Sequence, residues 1–237
     1  MKEFRRGVSK GIPIALGYLS VSFTFGVKAV HGGLPVWVAV LISLTNLTSA
    51  GQLAGLELIL AGGSYLEIGL STLIINLRYM LMSLSLTQRM EEGVKTSSKM
   101  FMAHGVTDEI FAVAITDPKK ITGKFMFGLM LTPILGWVSG TFLGAVASQI
   151  MPAALGNAME LGLYAMFISI IIPPAKKNKK LAAVVVFAIA ISCLLYYLPV
   201  FRFISAGFKI IIATFLAAGL AASFLPVDRP DSQEVTP

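Results

Sequence analysis

An all-α, polytopic membrane bundle is the fold class this sequence predicts, and three observations predict it. Hydrophobic residues make up 56% of the 237-residue chain, charged residues only 13%, and the mean hydropathy is +0.81, whereas a soluble domain carries roughly 25% charge. The apolar residues fall into runs long enough to cross the ~30 Å hydrocarbon core, about 20 residues at 1.5 Å rise each. Lysine and arginine cluster in short stretches between those runs, the arrangement that orients helices in a bilayer. That clustering assigns the net charge of +7 to topology and argues against nucleic acid as a partner. One membrane domain is expected over residues 1–225, followed by a polar, disordered tail over 226–237. Cys193 is the only cysteine, which excludes an internal disulfide or a cysteine-based metal site.

The basic start, with Lys2, Arg5, Arg6 and Lys10, followed by apolar residues from Ile12 to Val30, resembles a signal peptide. The apolar stretch is longer than a signal h-region and lacks a small-x-small cleavage site, so it reads as a retained first helix. Clear spans fall at about 11–30, 65–87, 125–148, 156–174, 181–199 and 205–225. Two segments are ambiguous. Residues 35–61 carry Asn46, Ser49, Gly51, Gln52 and Glu57, and residues 100–116 carry His104, Asp108 and Glu109. If both cross, there are eight spans and the loop from Arg89 to Lys99 faces outward. If both are re-entrant, there are six, and that loop joins Lys119, Lys120 and Lys124 on the cytoplasmic side, which obeys the positive-inside rule better. Both even counts put the two termini in the cytoplasm.

Small residues mark packing faces. Gly136, Gly140, Gly144 and Ser148 recur every fourth position, as do Ala213, Ala217 and Ala221, letting another backbone approach closely. Internal packing is the simpler use of such a face, and a partner surface is the other. Thr24-Phe25-Gly26 and Thr141-Phe142-Leu143-Gly144 hint at an internal repeat, a common origin of transporter folds.

Polar groups inside such spans are costly and rarely present without a task. Ser49-Ala50-Gly51-Gln52 suits a helix break, where the following N-terminus can meet a carboxylate. A continuous helix with Ser49 and Gln52 bonded to a neighbour is the alternative. Arg78 lies too deep to snorkel easily and must face the interior, paired with solute or with Glu109, Asp108 or Glu57. Asn76 is about 200° away around the helix, so the two serve different faces. His104 and Asp108, four apart, would share a helical face with Glu109 about 100° off, a proton-handling arrangement unless all three are solvated at the interface. Lys28, Glu67, Glu160 and Lys209 read as interfacial anchors, and Lys176-Lys177-Asn178-Lys179-Lys180 as a cytoplasmic loop.

Gly11-Ile12-Pro13-Ile14, Gly17-Tyr18, Phe25-Gly26, Ser49-Ala50-Gly51-Gln52, Asn76-Leu77-Arg78-Tyr79 and Asp108-Glu109-Ile110-Phe111, in that order, resemble the AzlC family, the large subunits of bacterial branched-chain amino acid exporters linked to azaleucine resistance. The resemblance covers about Gly11 to Tyr197. It implies export of branched-chain or related small amino acids, coupling to protons, and a small AzlD-type membrane subunit as partner. Two departures stand out: the family commonly has Gly-Ala-Ser-Gln where this chain has Ser49-Ala50-Gly51-Gln52, and histidine where this chain has Tyr79.

The expectation is therefore a secondary transporter of a bacterial or archaeal cytoplasmic membrane. Ser49, Gly51, Gln52, Asn76 and Arg78 would bind the solute, while His104, Asp108 and Glu109 would couple protons. Arg78 and Gln52 would border one polar cavity. No cofactor or metal is called for, and no catalytic constellation such as HExxH is visible, which argues against an enzyme. A channel or a carrier for another small polar solute is the alternative. No nucleotide-binding G-x-x-x-x-G-K-[ST] motif occurs, so transport would be secondary or powered by a partner.

Overall fold

The structure, a computed structural model, describes residues 1–224, and the expected polar tail at 226–237 lies outside them. Among the described residues there are ten α-helices and no strand: α1 (Lys2–His31), α2 (Val36–Thr45), α3 (Ser49–Leu60), α4 (Tyr65–Arg89), α5 (Thr96–His104), α6 (Asp108–Ile115), α7 (Gly123–Ala147), α8 (Ala153–Lys177), α9 (Lys179–Tyr197) and α10 (Ala206–Phe224). Six of them, α1, α4, α7, α8, α9 and α10, are long and apolar enough to cross a membrane. The chain is thus a polytopic helical membrane protein. Two compact units divide it, Met1–Tyr164 and Ala165–Pro237.

The first unit is organised on α1 and α7, which pack in parallel. Glycines make this close approach feasible. A Cβ on Gly136 would lie 2.6 Å from the Ala15 carbonyl oxygen, and one on Gly140 would lie 3.0 Å from the Leu19 Cα. The Gly136, Gly140, Gly144 face is therefore filled by α1 inside the chain, which settles the choice left by the sequence in favour of internal packing. Gly26 of α1 meets Thr141 of α7, so the two Thr-Phe stretches lie side by side at one depth.

The ambiguous segments are both helical hairpins that return to the face they enter. Hairpin 1 is α2 and α3. It enters just past the end of α1, and it comes back there: Lys28 pairs with Glu57 of α3 at 2.9 Å, and a Cβ on Gly32 would meet Leu60. Phe25, Ala29, Ala39, Leu56 and Ala145 form the core beneath it. Gly33 and Gly62, with φ of 94° and 70°, make the turns on either side of the hairpin, in a backbone region that glycine enters without steric cost.

Hairpin 2 is α5 and α6, on the opposite face. It enters after Arg89 and returns to it: the Arg89 guanidinium donates to the carbonyls of Ile115 and, at 2.9 Å, Asp117, and Ile121 N–H donates to Arg89 O at 3.1 Å. Asp117 in turn holds α1 near its start through Arg6 at 2.8 Å and Lys10 at 2.9 Å. Leu86, Met102, Val106, Ile110, Phe125, Leu129 and Met130 pack this end. Helix α4 connects the two faces. Within the first unit the hairpins therefore leave α1, α4 and α7 to connect the two faces, with the Arg89 to Lys99 loop on the side of Arg6, Lys10 and the Lys119 to Lys124 stretch.

The early part of α8 belongs to the first unit, where Glu160 pairs with Lys28 at 2.9 Å and Tyr164 donates to Glu57 at 3.1 Å. In the second unit α9 and α10 pack together with Leu195, Ala213 and Ala217 buried. Asn178 caps α9 by accepting from the N–H groups of Lys180 and Leu181 at 2.9 and 3.3 Å, satisfying donors that a helix start otherwise leaves unpaired.

Candidate functional site

The tips of the two hairpins meet near the middle of α1, α4 and α7. Leu47 from the first tip and Gly105 and Thr107 from the second line one cleft with Tyr18, Pro133 and Ile134, and the cleft is too narrow to hold a water molecule. His104, the last residue of α5, lies 3.2 Å from the Leu44 carbonyl at the other tip. Each return helix starts on threonine: Thr48 precedes α3 and Thr107 precedes α6, both in extended backbone. A larger depression, 550 Å³, lies away from the tips, between the turn at Glu91 to Lys95 and the start of α7.

The first break is at Asn46-Leu47-Thr48, one step ahead of the expected place. Asn46 Oδ1 accepts from the Thr48 hydroxyl at 2.7 Å and from Asn76 Nδ2 at 3.3 Å, while the Thr48 hydroxyl also lies 2.7 Å from Asn76 Oδ1. Asparagine and threonine offer the backbone local bonds that compete with a helix, and this pull, not Gly51, interrupts it. Ser49, Gly51 and Gln52 instead form the first turn of α3. Gly51 is needed because a Cβ there would lie 2.8 Å from Asn76 Nδ2 and 2.7 Å from Thr48 Oγ1. Ser49 is half-buried.

Gln52 is 1% exposed and both ends of its amide are engaged. Its oxygen accepts from Trp137 Nε1 at 2.8 Å, and its nitrogen donates to Ser43 Oγ at 2.5 Å. The amide nitrogen only donates, so Ser43 accepts there, and its hydroxyl also pairs with that of Thr141, 2.6 Å away, where either oxygen can be the donor. Gln52 pins hairpin 1 to α7, and neither it nor Arg78 lines the cleft between the tips.

Arg78 pairs with Asp108 at 2.9 Å, with side chains 46% and 42% exposed. The buried Tyr79 supports them: its hydroxyl accepts from Arg78 at 2.7 Å and donates to Asp108 at 3.2 Å, and Arg78 lies 4.7 Å from the ring centroid. Asn76 faces hairpin 1 while Arg78 faces hairpin 2, as the 200° offset requires. The shared helical face of His104 and Asp108 does not exist, because Gly105-Val106-Thr107 separates α5 from α6. His104 turns to Leu44 and Asp108 to Arg78. Glu109 accepts from the Tyr18 hydroxyl, which is also 2.6 Å from Thr107 Oγ1.

Several residues of this cluster were given no site role by sequence reasoning: Tyr18, which entered only within the Gly17-Tyr18 motif, and Ser43, Thr107 and Trp137. Each is a polar-tipped side chain inside an apolar run, a signal too common to single out without knowing which runs approach. Lys28 and Glu160, expected as interfacial anchors, pair with each other, and Glu57 completes the cluster. Asp117 is buried outside the spans. Burial opposes its ionisation, but hydrogen bonds from Lys10 and Arg6 override that and hold its carboxyl well below the usual carboxylate range. Among the described residues no cluster of three or more His, Cys, Asp or Glu side chains is placed to hold a metal ion.

The chain is 31% identical to an uncharacterized membrane protein of Archaeoglobus fulgidus, over 80% of this chain and 84% of that one. It is 27% identical to inner membrane protein YgaZ of Escherichia coli over 75% and 76% of the two chains, and 29% identical to an uncharacterized membrane protein of Helicobacter pylori strain J99 over 75% and 78%. No solved structure matches it. The profile of the family described as AzlC protein matches residues 13–151, a stretch that holds both hairpins, α4 and α7. The chain belongs to the AzlC family.

Proposed function

We propose that this chain is a secondary transporter of the cytoplasmic membrane that exports branched-chain or related small amino acids. It is coupled to protons and works with a small AzlD-type subunit. Family membership supports a transporter over an enzyme. One structural observation carries the reading furthest: a half-exposed ion pair, Arg78 with Asp108, at mid-depth where two re-entrant hairpins from opposite faces meet.

A zwitterionic solute has the chemistry to exchange with that pair. Its carboxylate takes the place of Asp108 on Arg78, a planar donor suited to bidentate carboxylate binding, and its ammonium takes Asp108. Exchange keeps every charge paired, so the desolvation cost of opening the pair is offset by the solute. Asn76, with Ser49 and Gly51 of the first turn of α3, stays on the hairpin 1 side of α4, where Asn76 bonds to Asn46 and Thr48. Hairpins entering from opposite faces give each side of the membrane its own gate, in keeping with binding near the midplane in transporter folds. The basic end, with Arg5, Arg6, Lys10, Arg89, Lys95, Lys99, Lys119, Lys120 and Lys124, faces the cytoplasm on this reading.

The test is leucine efflux from proteoliposomes with and without the small subunit, under an imposed pH gradient. Saturable, gradient-stimulated efflux that disappears in Arg78→Ala is the expected result. Flux that rises linearly with leucine concentration and ignores the gradient would replace the carrier with a channel, and no flux of any branched-chain amino acid would overturn the substrate assignment.

A further inference from the structure

The 550 Å³ depression on the hairpin 2 face lies between the turn at Glu91 to Lys95 and the start of α7. Backbone bonds build its rim. Glu91 N–H donates to Ile121 O at 3.0 Å and Ile121 N–H to Arg89 O at 3.1 Å, so the turn is tied to the segment that leads into α7. Gly93, with φ of 93°, makes the turn in a region that glycine enters without steric cost. Thr122 caps α7 by accepting from Phe125 N–H at 3.0 Å, which fixes the helix turn that carries Lys124 and Phe127.

The lining combines groups of three kinds. Val94, Met102 and Phe127 are apolar, and Met102, only 1% exposed, forms the floor. Lys95 and Lys124 bring two ammonium groups, and Glu91 and Glu92 two carboxylates. Among the described residues none of these four charged side chains has an ion-pair partner, whereas Glu3, the third carboxylate of the lining, is held by Arg6 at 2.6 Å. A ligand with one charge would meet like charge at part of this surface. A zwitterion finds an opposite charge for each end, and an apolar side chain between them finds Met102 and Phe127. The volume falls within the range of small-molecule pockets, about 300–1,000 Å³.

We propose that this depression is a second solute site, binding a zwitterionic amino acid with an apolar side chain. Lys95 and Lys124 take its carboxylate, Glu91 and Glu92 its ammonium, and its side chain lies against Met102 and Phe127. The occupant bridges hairpin 2, which carries Met102 on α5, and α7. Neither Arg78 nor Asp108 lines the depression, so the site is separate from the mid-depth ion pair. On the orientation proposed above it faces the cytoplasm, the side from which an exporter loads.

Ser98→Cys in a Cys193→Ser background places a thiol in the lining, and the rate of maleimide labelling in lipid-free detergent reads occupancy. Millimolar leucine should slow that rate several-fold and leave Lys120→Cys, outside the lining, unchanged. Leucinamide lacks the carboxylate and isocaproate lacks the ammonium, so each should need a concentration higher by about two- to fivefold for equal protection, the scale of one exposed ion pair. Glycine, without the apolar side chain, should protect least. Lys95→Glu combined with Lys124→Glu should abolish protection, and both lysines are exposed, so the exchange leaves the core untouched. Arg78→Ala should leave protection in place. No protection by leucine, equal protection by leucinamide or isocaproate, protection that survives the double lysine exchange, or protection that is lost with Arg78 would each overturn the proposal. Phosphoethanolamine presents the same two charges as a zwitterionic lipid headgroup, and protection by it but not by leucine would assign the depression to lipid instead. If leucine protects the thiol but is not moved in proteoliposomes, the second site stands and the exporter reading falls. If leucine is moved and does not protect, the exporter reading stands and the second site falls.

Discussion

Replacing Gln52 with leucine isolates the bond that fixes hairpin 1. The side chain is 1% exposed and leucine nearly conserves its volume, so the cavity contribution is small. Of the groups left behind, Ser43 keeps Thr141 at 2.6 Å, whereas the Trp137 N–H, bonded only to Gln52 Oε1 at 2.8 Å, has no substitute. One buried donor without a partner costs about 1–3 kcal/mol. For a chain of this size each kcal/mol lowers the melting temperature by about 2–4 °C, so thermal unfolding in detergent should shift down by roughly 2–12 °C. Gln52→Glu gives a second arm. When protonated it can accept from Trp137 and donate to Ser43, and when ionised it cannot donate and carries a buried charge. Its carboxyl is then raised in the folded state relative to the unfolded one, so its stability should approach the wild type as pH falls and diverge as pH rises. A Gln52→Leu variant melting within about 1 °C of the wild type, or a Gln52→Glu variant with no such trend, would refute this account of the network.

Other outcomes follow from the same contacts. Gly140→Leu places a side chain where the Leu19 Cα would be 3.0 Å from the new Cβ. It should therefore part α1 from α7 and reduce folded yield by size-exclusion chromatography even without a partner subunit; normal yield with lost subunit association would assign the face to a partner. Asp117 ionises below its ordinary 3.8, so its contribution to stability is complete above about pH 4 and declines as pH falls further. Asp117→Asn should thus lower the melting temperature at neutral pH and flatten the acid limb of stability against pH, and an unchanged limb would contradict the pairing with Arg6 and Lys10. Arg78→Lys keeps the charge but not the planar fork, so leucine affinity in binding assays should weaken by about tenfold or more. Equal affinity would place the carboxylate elsewhere.

The long spans were legible because hydropathy and length are local quantities. The six apolar helices fall within a few residues of their expected bounds, apart from α1, whose basic opening from Lys2 is also helical. Loop charge also favoured the six-crossing count. The offset of Asn76 from Arg78 was legible too, since helix geometry alone fixes it. The first break was displaced because the reading weighed Gly51 as a breaker, whereas Asn46 and Thr48 bond to each other and to Asn76, a contact 28 to 30 residues away in the chain. The face shared by His104 and Asp108 failed for a related reason. Periodicity assumes an uninterrupted helix, and Gly105-Val106-Thr107 interrupts it. Tyr18, Trp137 and Ser43 gain their meaning only when α1, α7 and hairpin 1 are brought together, which no window of sequence contains.

The central claim is that two hairpins enter from opposite faces and each returns to its own. Single cysteines placed at Gly33, Gly62, Gly93 and Lys120 in a Cys193→Ser background test it directly, by labelling intact cells with a reagent that does not cross the membrane. Gly33 and Gly62 flank hairpin 1, and Gly93 and Lys120 flank hairpin 2. The account predicts that the first two label from outside and that the last two label only after the cells are opened. If Gly33 and Gly62 label from opposite sides, hairpin 1 is a broken crossing and the two-gate arrangement is wrong.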